Sequence, residues 1–516
     1  MQNSETILSV DQNSTVKPKT SSQSFLAGVL ALTGGEVIAK GIGLISSPII
    51  CRIFSPTVFG LDGIFRSIVT VIGALTCFRY ELAIMLPEKK ENAATLFVFC
   101  CILTVITTSL VGITIVYFGS AFMRSIEAEG LIPYLWFLPV CIFLTGMVLT
   151  FRIWCNREKQ YKSLGYSRIF SSASRNFALI TGGLLGYRTV FTLILCLAIE
   201  SVIAIFVLLK RVILHDLPDI IRHCKIRLML PLAKRYIKFP MITSISTLLN
   251  TSLYQIPVFL FSYYLGITIV GYYTRSLLLI GIPSVLIGGA ISEVFFQRVT
   301  QWKNERRPVD ILIEGILLRL FYLMILPYVI IVLFGKDIYS IVLGNQWSEA
   351  GIYASILVPY YFSLALTTPL VDIFVAYEKQ GHDLLFNIML LILTTGSIIL
   401  GGTIFSNARL IMLLFSLAGT IAHISRFGYI LFLAKVSLYR IMRQFSQYFV
   451  LIVPILIIIV IARWWLNLSP LWLVAILTIT LLIYYYLALH QDKYFRRVMW
   501  TLLQETLSKK NNNKAI

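Results

Sequence analysis

Charge is scarce in this sequence, and acidic charge is scarcest. Only 13% of the 516 residues are charged and 58% are hydrophobic, with 24 acidic residues against 44 basic ones. The mean hydropathy of +0.83 excludes a soluble domain of this size. The basic residues are spread over short segments without a nucleic-acid-binding module. We therefore expect the net charge of +20 to face anionic lipid headgroups rather than nucleic acid.

The sequence also lacks the signatures of common enzymes and metal proteins. No G-x-x-x-x-G-K-[ST] loop occurs, so the chain is not expected to hydrolyse ATP itself. All eight cysteines precede residue 225 and most lie in apolar runs, which disfavours a disulfide framework. His215, His223 and Cys224 lie close together, but the remaining ligands of a zinc site are missing. We expect no metal, no cofactor and no catalytic residues.

Long apolar runs are what the sequence has in abundance. Runs of about 20 residues, the length that an α-helix needs to cross the hydrocarbon layer, recur from Phe25 to Leu489. They predict an all-α polytopic membrane protein with about 14 transmembrane helices. The predicted spans are 25–50, 61–86, 93–118, 131–152, 165–187, 189–209, 239–264, 268–297, 310–334, 350–376, 384–402, 410–433, 446–464 and 470–489.

The distribution of lysine and arginine predicts the orientation. With the N-terminus inside, roughly 32 of the 44 basic residues fall in cytoplasmic segments, so we expect both termini in the cytoplasm. The polar start carries no cleavable signal pattern, and the first span is expected to stay as an anchor. The predicted organisation is a cytoplasmic tail (1–24), an N-terminal six-helix lobe (25–209), a basic cytoplasmic loop (210–238), a C-terminal six-helix lobe (239–433), two additional transmembrane helices (434–489) and a cytoplasmic tail (490–516).

Six basic residues fall within predicted spans, where a cation costs about 2.5 to 3.5 kcal/mol at the bilayer centre. Such side chains are expected to face an internal cavity or a charged partner, because lipid cannot solvate them. We take them as candidate substrate-binding residues of a transport cavity. They are Lys40, Arg66, Arg79, Arg175, Arg275 and Arg319.

Two of these cations have an acidic residue one helical turn away. Glu36 and Lys40 are four residues apart, as are Asp62 and Arg66, so each pair shares a helix face. This spacing is equally compatible with a purely structural ion pair, which is the simpler interpretation for Asp62 and Arg66. Glu36 is a candidate for ion coupling or for charge balance.

Arg79 lies well inside the second predicted span, and Glu81 follows it by two residues. That spacing does not allow the two side chains to meet across a turn of a helix. A cation at this depth is therefore expected to contact substrate. Glu81, like Glu36, is a candidate for ion coupling or for charge balance.

Proline and glycine interrupt several spans, which is typical of helices that line a transport cavity. The separation of Pro48 from Arg66 recurs as that of Pro257 from Arg275, and a serine follows each arginine. The glycines between them align only with a gap. This internal repeat pairs the first two spans with the seventh and eighth, and it predicts two six-helix lobes plus two C-terminal helices.

Seven short motifs occur in a fixed order along the chain: Phe54–Pro56, Phe59–Leu61, Arg79–Pro87, Asn156–Tyr161, Ser167–Arg168, Arg235–Pro240 and Gly288–Gln297. They resemble the motifs of bacterial polysaccharide flippases of the O-antigen kind. The resemblance follows the same order along the chain, from about residue 25 to about residue 435. The last two helices match only in type.

This resemblance places the chain near the multidrug, oligosaccharidyl-lipid and polysaccharide exporter superfamily. It implies a V-shaped pair of six-helix lobes around a basic cavity, in the bacterial inner membrane. The implied substrate is an undecaprenyl-pyrophosphate-linked oligosaccharide, moved by alternating access for lipopolysaccharide O-antigen or another surface polysaccharide. Membrane lipid, a polysaccharide polymerase and a chain-length regulator are the candidate partners.

Two other functions remain open. A drug or cation antiporter of the same superfamily would want an acidic lumen, and acidic residues do exist within the predicted spans beside the bases. A membrane-embedded polysaccharide polymerase would be expected to show a sizeable outer loop, which the predicted topology lacks. The flippase interpretation explains the embedded cations best. The embedded acids are Glu36, Glu81, Glu200, Glu314 and Asp372.

Overall fold

Helices form all the regular secondary structure among the described residues. The computed structural model describes residues 19–212, 216–283, 289–305, 307–443, 445, 446, 453, 457, 460 and 470–491. The main helices are α1 (Lys19–Ile53), α2 (Pro56–Gly73), α3 (Lys90–Thr114), α4 (Leu138–Arg157), α5 (Tyr161–Leu184), α6 (Val190–Arg211), α7 (Ser244–Leu265), α8 (Ile267–Ile280), α9 (Gly289–Asn304), α10 (Val309–Leu343), α11 (Ser348–Thr367), α12 (Gln380–Ile404), α13 (Ala408–Leu433) and α14 (Pro470–Gln491).

Eight helical segments in the described part of the chain are long and apolar enough to cross a membrane. The chain is therefore a multi-pass membrane protein, as predicted. The count of about 14 spans stays a prediction. The predicted span at 446–464 lies largely outside the described residues. The eight segments are Pro56–Gly73, Lys90–Ser125, Glu129–Arg157, Val190–Lys210, Val309–Leu343, Asn345–Ala376, Gln380–Ile404 and Ala408–Leu433.

Helices α1, α5 and α7 have membrane-crossing length but are not among these eight segments. Serine, asparagine and arginine interrupt α5, and serine, threonine and asparagine interrupt the first half of α7. A helix that carries polar side chains at membrane depth has to turn them toward other helices or a water-filled space. Helices α5 and α7 are therefore expected to turn their polar side chains toward neighbouring helices or an internal cavity.

The helices pack as two groups. In the first group, α1 packs against α5, α5 against α6, and α4 against α3 and α6, while α2 contacts α4 and α6. In the second group, α10 packs against α11, α11 against α13, and α13 against α12, while α7 lies against α8 and α12. We call α1–α6 the N-lobe and α7–α13 the C-lobe. The C-terminal helix α14 packs on α10.

The segment after α2 departs from the predicted helix. A turn follows α2 well before the predicted end of the span, and the 3-10 helix Tyr80–Met85 comes next. Arg79 has a left-handed backbone, with a φ of 62°. Arg157 supports this backbone by donating to the carbonyl oxygens of Ile84 at 2.8 Å and Pro87 at 2.6 Å. The prediction of a continuous second span is wrong, because α2 ends at Gly73 and the left-handed backbone at Phe78 and Arg79 cannot continue a right-handed helix.

The two lobes meet where α2 crosses α8, and a glycine from each helix makes the crossing close. A Cβ added to Gly60 would overlap the carbonyl oxygen of Ile267, and one added to Gly271 would overlap that of Pro56. Small residues at a helix crossing let the two backbones approach and form many van der Waals contacts. The crossing therefore tolerates no larger residue at either glycine without a shift of one helix.

These contacts are reciprocal between the lobes. The hydroxyls of Thr57 and Thr268 lie 2.9 Å apart at the crossing, and the sequence offset between these threonines equals the offset between the two glycines. A pseudo-two-fold axis thus passes through the crossing and relates α2 to α8. The arginines that the predicted repeat matched, Arg66 and Arg275, fall two residues out of this register and do not occupy equivalent positions.

Hydrogen bonds between the lobes cluster at the same end of the molecule. Trp347 and Gln346 both donate to the carbonyl oxygen of Cys51 at 2.6 Å, and Arg52 donates to that of Ile341 at 2.6 Å. These residues lie near the C-terminal ends of α1 and α10, beside the start of α2. The lobes are therefore joined at the end of the molecule where α1 passes into α2.

Candidate functional site

A cavity of about 550 Å³ lies between the lobes, and we call it the interlobe cavity. Its walls come mainly from α1 and α5 of the N-lobe and from α8 of the C-lobe. No carboxylate belongs to this lining in the described part of the chain, so the cavity is basic. Its polar lining residues are Lys40, Ser47, Ser172, Arg175, Asn176 and Arg275.

A second cavity, of about 440 Å³, lies inside the N-lobe between α2, α4, α5 and α6, and we call it the intralobe cavity. Its charged lining residues are Arg66, Arg152, Arg175 and Glu200. Arg175 borders both cavities. Four of the six predicted cations therefore line two adjacent spaces, with one arginine between them.

Acidic residues neutralise two of the arginines of the intralobe cavity. Arg66 Nε donates to Asp62 Oδ2 at 2.7 Å, and Asp62 is buried. Arg175 Nε lies 3.5 Å from Glu200 Oε2. The predicted pairing of Asp62 with Arg66 is therefore present. A buried arginine held by a carboxylate is fixed in position and still has further N–H groups that can reach a ligand.

Glu36 on α1 binds two cations at once. One carboxylate oxygen lies 3.3 Å from Lys40 Nζ, and the other lies 2.5 Å from Arg168 Nη1. The predicted contact between Glu36 and Lys40 is therefore present, but the acid is shared with a residue of α5. One negative charge between two positive ones leaves this corner of the interlobe cavity with a net positive charge.

Arg275 reaches across the lobe interface from α8. Its guanidinium carbon lies 4.2 Å from the centre of the Phe59 ring on α2, which is a cation–π contact. The Nε atom is buried and makes no hydrogen bond. Because an aromatic ring rather than a carboxylate holds this guanidinium, its positive charge remains available to an anion in the interlobe cavity.

Arg79 and Arg319 border neither of these cavities. Arg79 Nη1 lies 3.1 Å from Oε1 of the buried Glu81. The expectation that these two side chains cannot meet is wrong, because it assumes a helix where the backbone is left-handed. Arg319 lies half-buried on α10. Substrate contact by either arginine stays a prediction, as does ion coupling by Glu81.

Inspection of the sequence missed Arg152, Ser172 and Asn176. Arg152 falls at the predicted end of the fourth span, where a cation is expected to face headgroups, yet it borders the intralobe cavity. Ser172 and Asn176 lie one turn apart on α5, and the amide of Asn176 donates to the Ser172 carbonyl oxygen at 2.7 Å. Counting polar residues at helical spacing along α5 would have found this face.

Comparison with known proteins places the chain in a family. The profile of the polysaccharide biosynthesis protein family matches residues 49–352, more than half of the chain. The chain belongs to this family. The match includes all the candidate cations except Lys40, and it covers the crossing of α2 with α8. No curated protein matches the sequence.

Two solved structures share the fold. The lipid II flippase MurJ, in an inward closed conformation, matches with a TM-score of 0.68 and 13% identity, over 89% of this chain and 98% of that chain. An inward-facing multidrug resistance transporter of the MATE family, from the MOP superfamily, matches with a TM-score of 0.59 and 15% identity, over 80% of this chain and 99% of that chain. The predicted membership of a polysaccharide biosynthesis family is confirmed by the family match, and the two structures confirm the all-α polytopic fold.

Proposed function

We propose that the chain translocates an undecaprenyl-pyrophosphate-linked oligosaccharide from the cytoplasmic to the periplasmic leaflet of a bacterial inner membrane. The product would serve lipopolysaccharide O-antigen or another surface polysaccharide. The observation that carries this proposal is the interlobe cavity, whose described lining has three cations and no carboxylate. Membership of the polysaccharide biosynthesis protein family supports it.

The chemistry of the lining suits the three parts of such a substrate. The pyrophosphate needs cations that hold it where water cannot screen the charge, and Arg175 and Arg275 provide guanidinium groups for this role. The glycan needs hydrogen-bonding groups in place of water, which Ser47, Ser172 and Asn176 offer. The lipid tail can stay in the bilayer while the head group crosses.

The basic lining favours this function over a drug or cation antiporter. An antiporter for cations requires acidic groups that face its substrate, whereas the acids of the N-lobe interior are engaged with arginines: Asp62 with Arg66, and Glu200 with Arg175. A cation entering the interlobe cavity would meet like charge, which disfavours binding. An anionic lipid-linked substrate would meet opposite charge there.

The joined end of the lobes suggests which side is open. With both termini in the cytoplasm, the connection from α1 to α2 faces the periplasm, so the lobes would be closed on that side. The interlobe cavity would then accept substrate from the cytoplasmic leaflet, as an alternating-access cycle requires at its start. A polysaccharide polymerase and a chain-length regulator would act on the product after its release.

A strain that lacks the gene provides the test. We expect it to lose surface polysaccharide and to accumulate the lipid-linked oligosaccharide on the cytoplasmic face of the membrane. The unchanged chain should restore export, whereas Arg275→Gln should restore it poorly at equal protein level. Unaltered surface polysaccharide in the deletion strain, or accumulation of the lipid-linked sugar on the periplasmic face, would contradict the proposal.

A further inference from the structure

The intralobe cavity has a surplus of positive charge that the ion pairs around it do not remove. Asp62 is paired with Arg66, and Glu200 lies beside Arg175. The third arginine, Arg152, has no carboxylate within salt-bridge distance in the described part of the chain, and it is half-buried beside the cavity. Three guanidinium groups thus border one space that contains a single carboxylate, that of Glu200.

Two of these guanidinium groups also have unused hydrogen-bond donors. The Nη2 atom of Arg66 is buried and makes no hydrogen bond, and the buried Nε atom of Arg175 lies 3.5 Å from Glu200 Oε2 without a hydrogen bond to it. Buried donors of a charged group are costly to leave without an acceptor. An oxyanion in the cavity would supply acceptors to both, and it would at the same time balance the charge of Arg152.

We infer that the intralobe cavity is a second anion site, which binds a phosphate or pyrophosphate group. The planar, multiply donating guanidinium matches the oxygens of such a group better than it matches a single spherical ion. The volume of about 440 Å³ leaves room for more than one phosphate. The hydroxyl of Thr70 also lines the space and can donate to such a group, whereas the hydroxyls of Thr145, Ser171 and Ser201 donate to backbone carbonyl oxygens of their own helices.

Two sources could supply this anion. One is free inorganic phosphate or pyrophosphate, and the other is the head group of a lipid-linked substrate. Because Arg175 borders both cavities, a pyrophosphate held in the interlobe cavity would lie one side chain away from the second site. Assignment to the lipid-linked source rests on the proposed function, whereas binding of the anion itself does not.

The experiment is a titration of the purified full-length chain in detergent with sodium pyrophosphate at constant ionic strength, followed by its melting temperature. We expect a saturable rise, because a ligand that binds only the folded state stabilises it. Arg152→Gln should weaken the apparent affinity by about tenfold. Arg409→Gln is the matched control, since Arg409 is exposed on α13 and borders neither cavity, and it should change the affinity by less than about twofold.

A second variant keeps the test independent of buried charge. Thr70 is exposed at the rim of the intralobe cavity, so Thr70→Trp should fill the space without removing an ion pair, and it should also weaken pyrophosphate binding. Wild-type affinity in both Arg152→Gln and Thr70→Trp would overturn the inference. Equal loss in Arg409→Gln and Arg152→Gln would overturn it too, because the loss would then not depend on the intralobe cavity.

Farnesyl pyrophosphate distinguishes the two sources. If its binding also depends on Arg152, the site takes a lipid-linked head group; if only inorganic pyrophosphate depends on Arg152, the site takes a free anion. Either result supports an anion site in the N-lobe. The polysaccharide export of the Arg275→Gln strain tests the proposed function separately, because Arg275 does not border the intralobe cavity.

Discussion

The interiors of the two lobes differ in chemistry. The N-lobe encloses a cavity bordered by arginines, and Asp62 and Glu200 hold two of them. The corresponding part of the C-lobe is filled with aromatic rings: Tyr273 and Phe415 pack edge-to-face with ring centroids 6.2 Å apart, and Tyr360 lies 5.4 Å from the same Phe415. The N-lobe interior therefore has charged groups around a cavity, whereas the C-lobe interior is filled with closely packed aromatic rings.

From this difference we expect the N-lobe to contribute most of the charged groups that bind substrate. Buried ion pairs are weak contributors to stability, because the cost of removing charges from water offsets their attraction. Apolar packing would have stabilised the N-lobe at least as well, so the arginines point to a role in binding. In the C-lobe, Arg426 donates to Asp383 and Asn387 at 2.6 Å, but these residues border neither cavity.

The largest effect is expected where the lobes touch. Gly60→Ala and Gly271→Ala each place a Cβ on a backbone oxygen of the other lobe, so one helix must shift. We expect each variant to lower surface polysaccharide by more than about tenfold, and to lower the melting temperature in detergent. Because the two glycines are equivalent about the pseudo-two-fold axis, their effects should be equal within about twofold.

Gly396 on α12 provides the control for these variants, since open space surrounds the position of its Cβ. Gly396→Ala should leave both export and melting temperature unchanged. A wild-type melting temperature in Gly60→Ala would show that the crossing is looser than the structure has it. A large difference between the two variants at the crossing would break the equivalence of the lobes.

A second effect should distinguish an arginine of the N-lobe cavities from an arginine of a C-lobe ion pair. Arg175→Gln and Arg426→Gln each remove the cation of an ion pair, leaving Glu200 or Asp383 without it. Both should destabilise the protein, by about 1 to 3 kcal/mol. Only Arg175 borders the cavities, so only Arg175→Gln should lower export at equal protein level, by about tenfold.

Flipping of a lipid-linked oligosaccharide in reconstituted vesicles, normalised to folded protein, is the measurement for this pair. Arg175→Lys sharpens this comparison, because lysine keeps the charge but loses the planar arrangement of donors. Export by Arg175→Lys should lie between that of Arg175→Gln and that of the unchanged chain. Equal losses in Arg175→Gln and Arg426→Gln would mean that the contrast between the lobes is one of stability alone.

The class of the protein and most of its cavity cations could be predicted from the sequence. Apolar runs of membrane-crossing length have few alternatives to helix, since lipid offers no partner for free backbone groups. A cation such as Arg175 within such a run needs an interior position for the same reason. These predictions succeed because they depend on the bilayer, which imposes the same requirement on every segment.

What could not be predicted depends on contacts between distant segments. The break at Arg79 is supported by hydrogen bonds from Arg157, which no local pattern around residue 79 reveals. The register of α2 on α8 follows from the close approach of Gly60 and Gly271, whereas matching the arginines suggested a register two residues away. Arg152 lies at a predicted span boundary, where the sequence alone does not show whether a cation faces lipid headgroups or the protein interior.

A third and smaller effect concerns Arg79, which faces Glu81 instead of a cavity. Arg79→Gln should lower the amount of protein in the membrane, by about threefold, because the buried Glu81 loses its cation. Adding Glu81→Gln should restore the amount, and with it the export. Immunoblotting of membranes together with surface polysaccharide measures both. If the amount recovers in the double variant while export stays low, Arg79 contacts the substrate after all.

A fourth and smaller effect is expected at Lys40, an exposed cation of the interlobe cavity. Its side chain is 53% exposed, and it shares Glu36 with Arg168. Solvent screens such a charge, so Lys40→Gln should lower export by only about two- to fivefold. Higher salt in a vesicle assay should shrink the difference from the unchanged chain, whereas the loss in Arg175→Gln should persist, because that arginine is less exposed.

Glu36→Gln decides between the two roles open to this acid. If Glu36 only balances charge, its removal leaves Lys40 and Arg168 with more positive potential at the mouth of the cavity, so export should stay equal or rise slightly. The two cations would then repel each other, and a fall in melting temperature of a few degrees is the expected cost. If Glu36 instead carries a coupling ion, export should collapse at unchanged protein level, and an imposed ion gradient should no longer stimulate flipping in vesicles. We expect export to stay equal or rise slightly, because the Glu36 carboxylate already contacts two cations, which compete with the binding of a coupling cation.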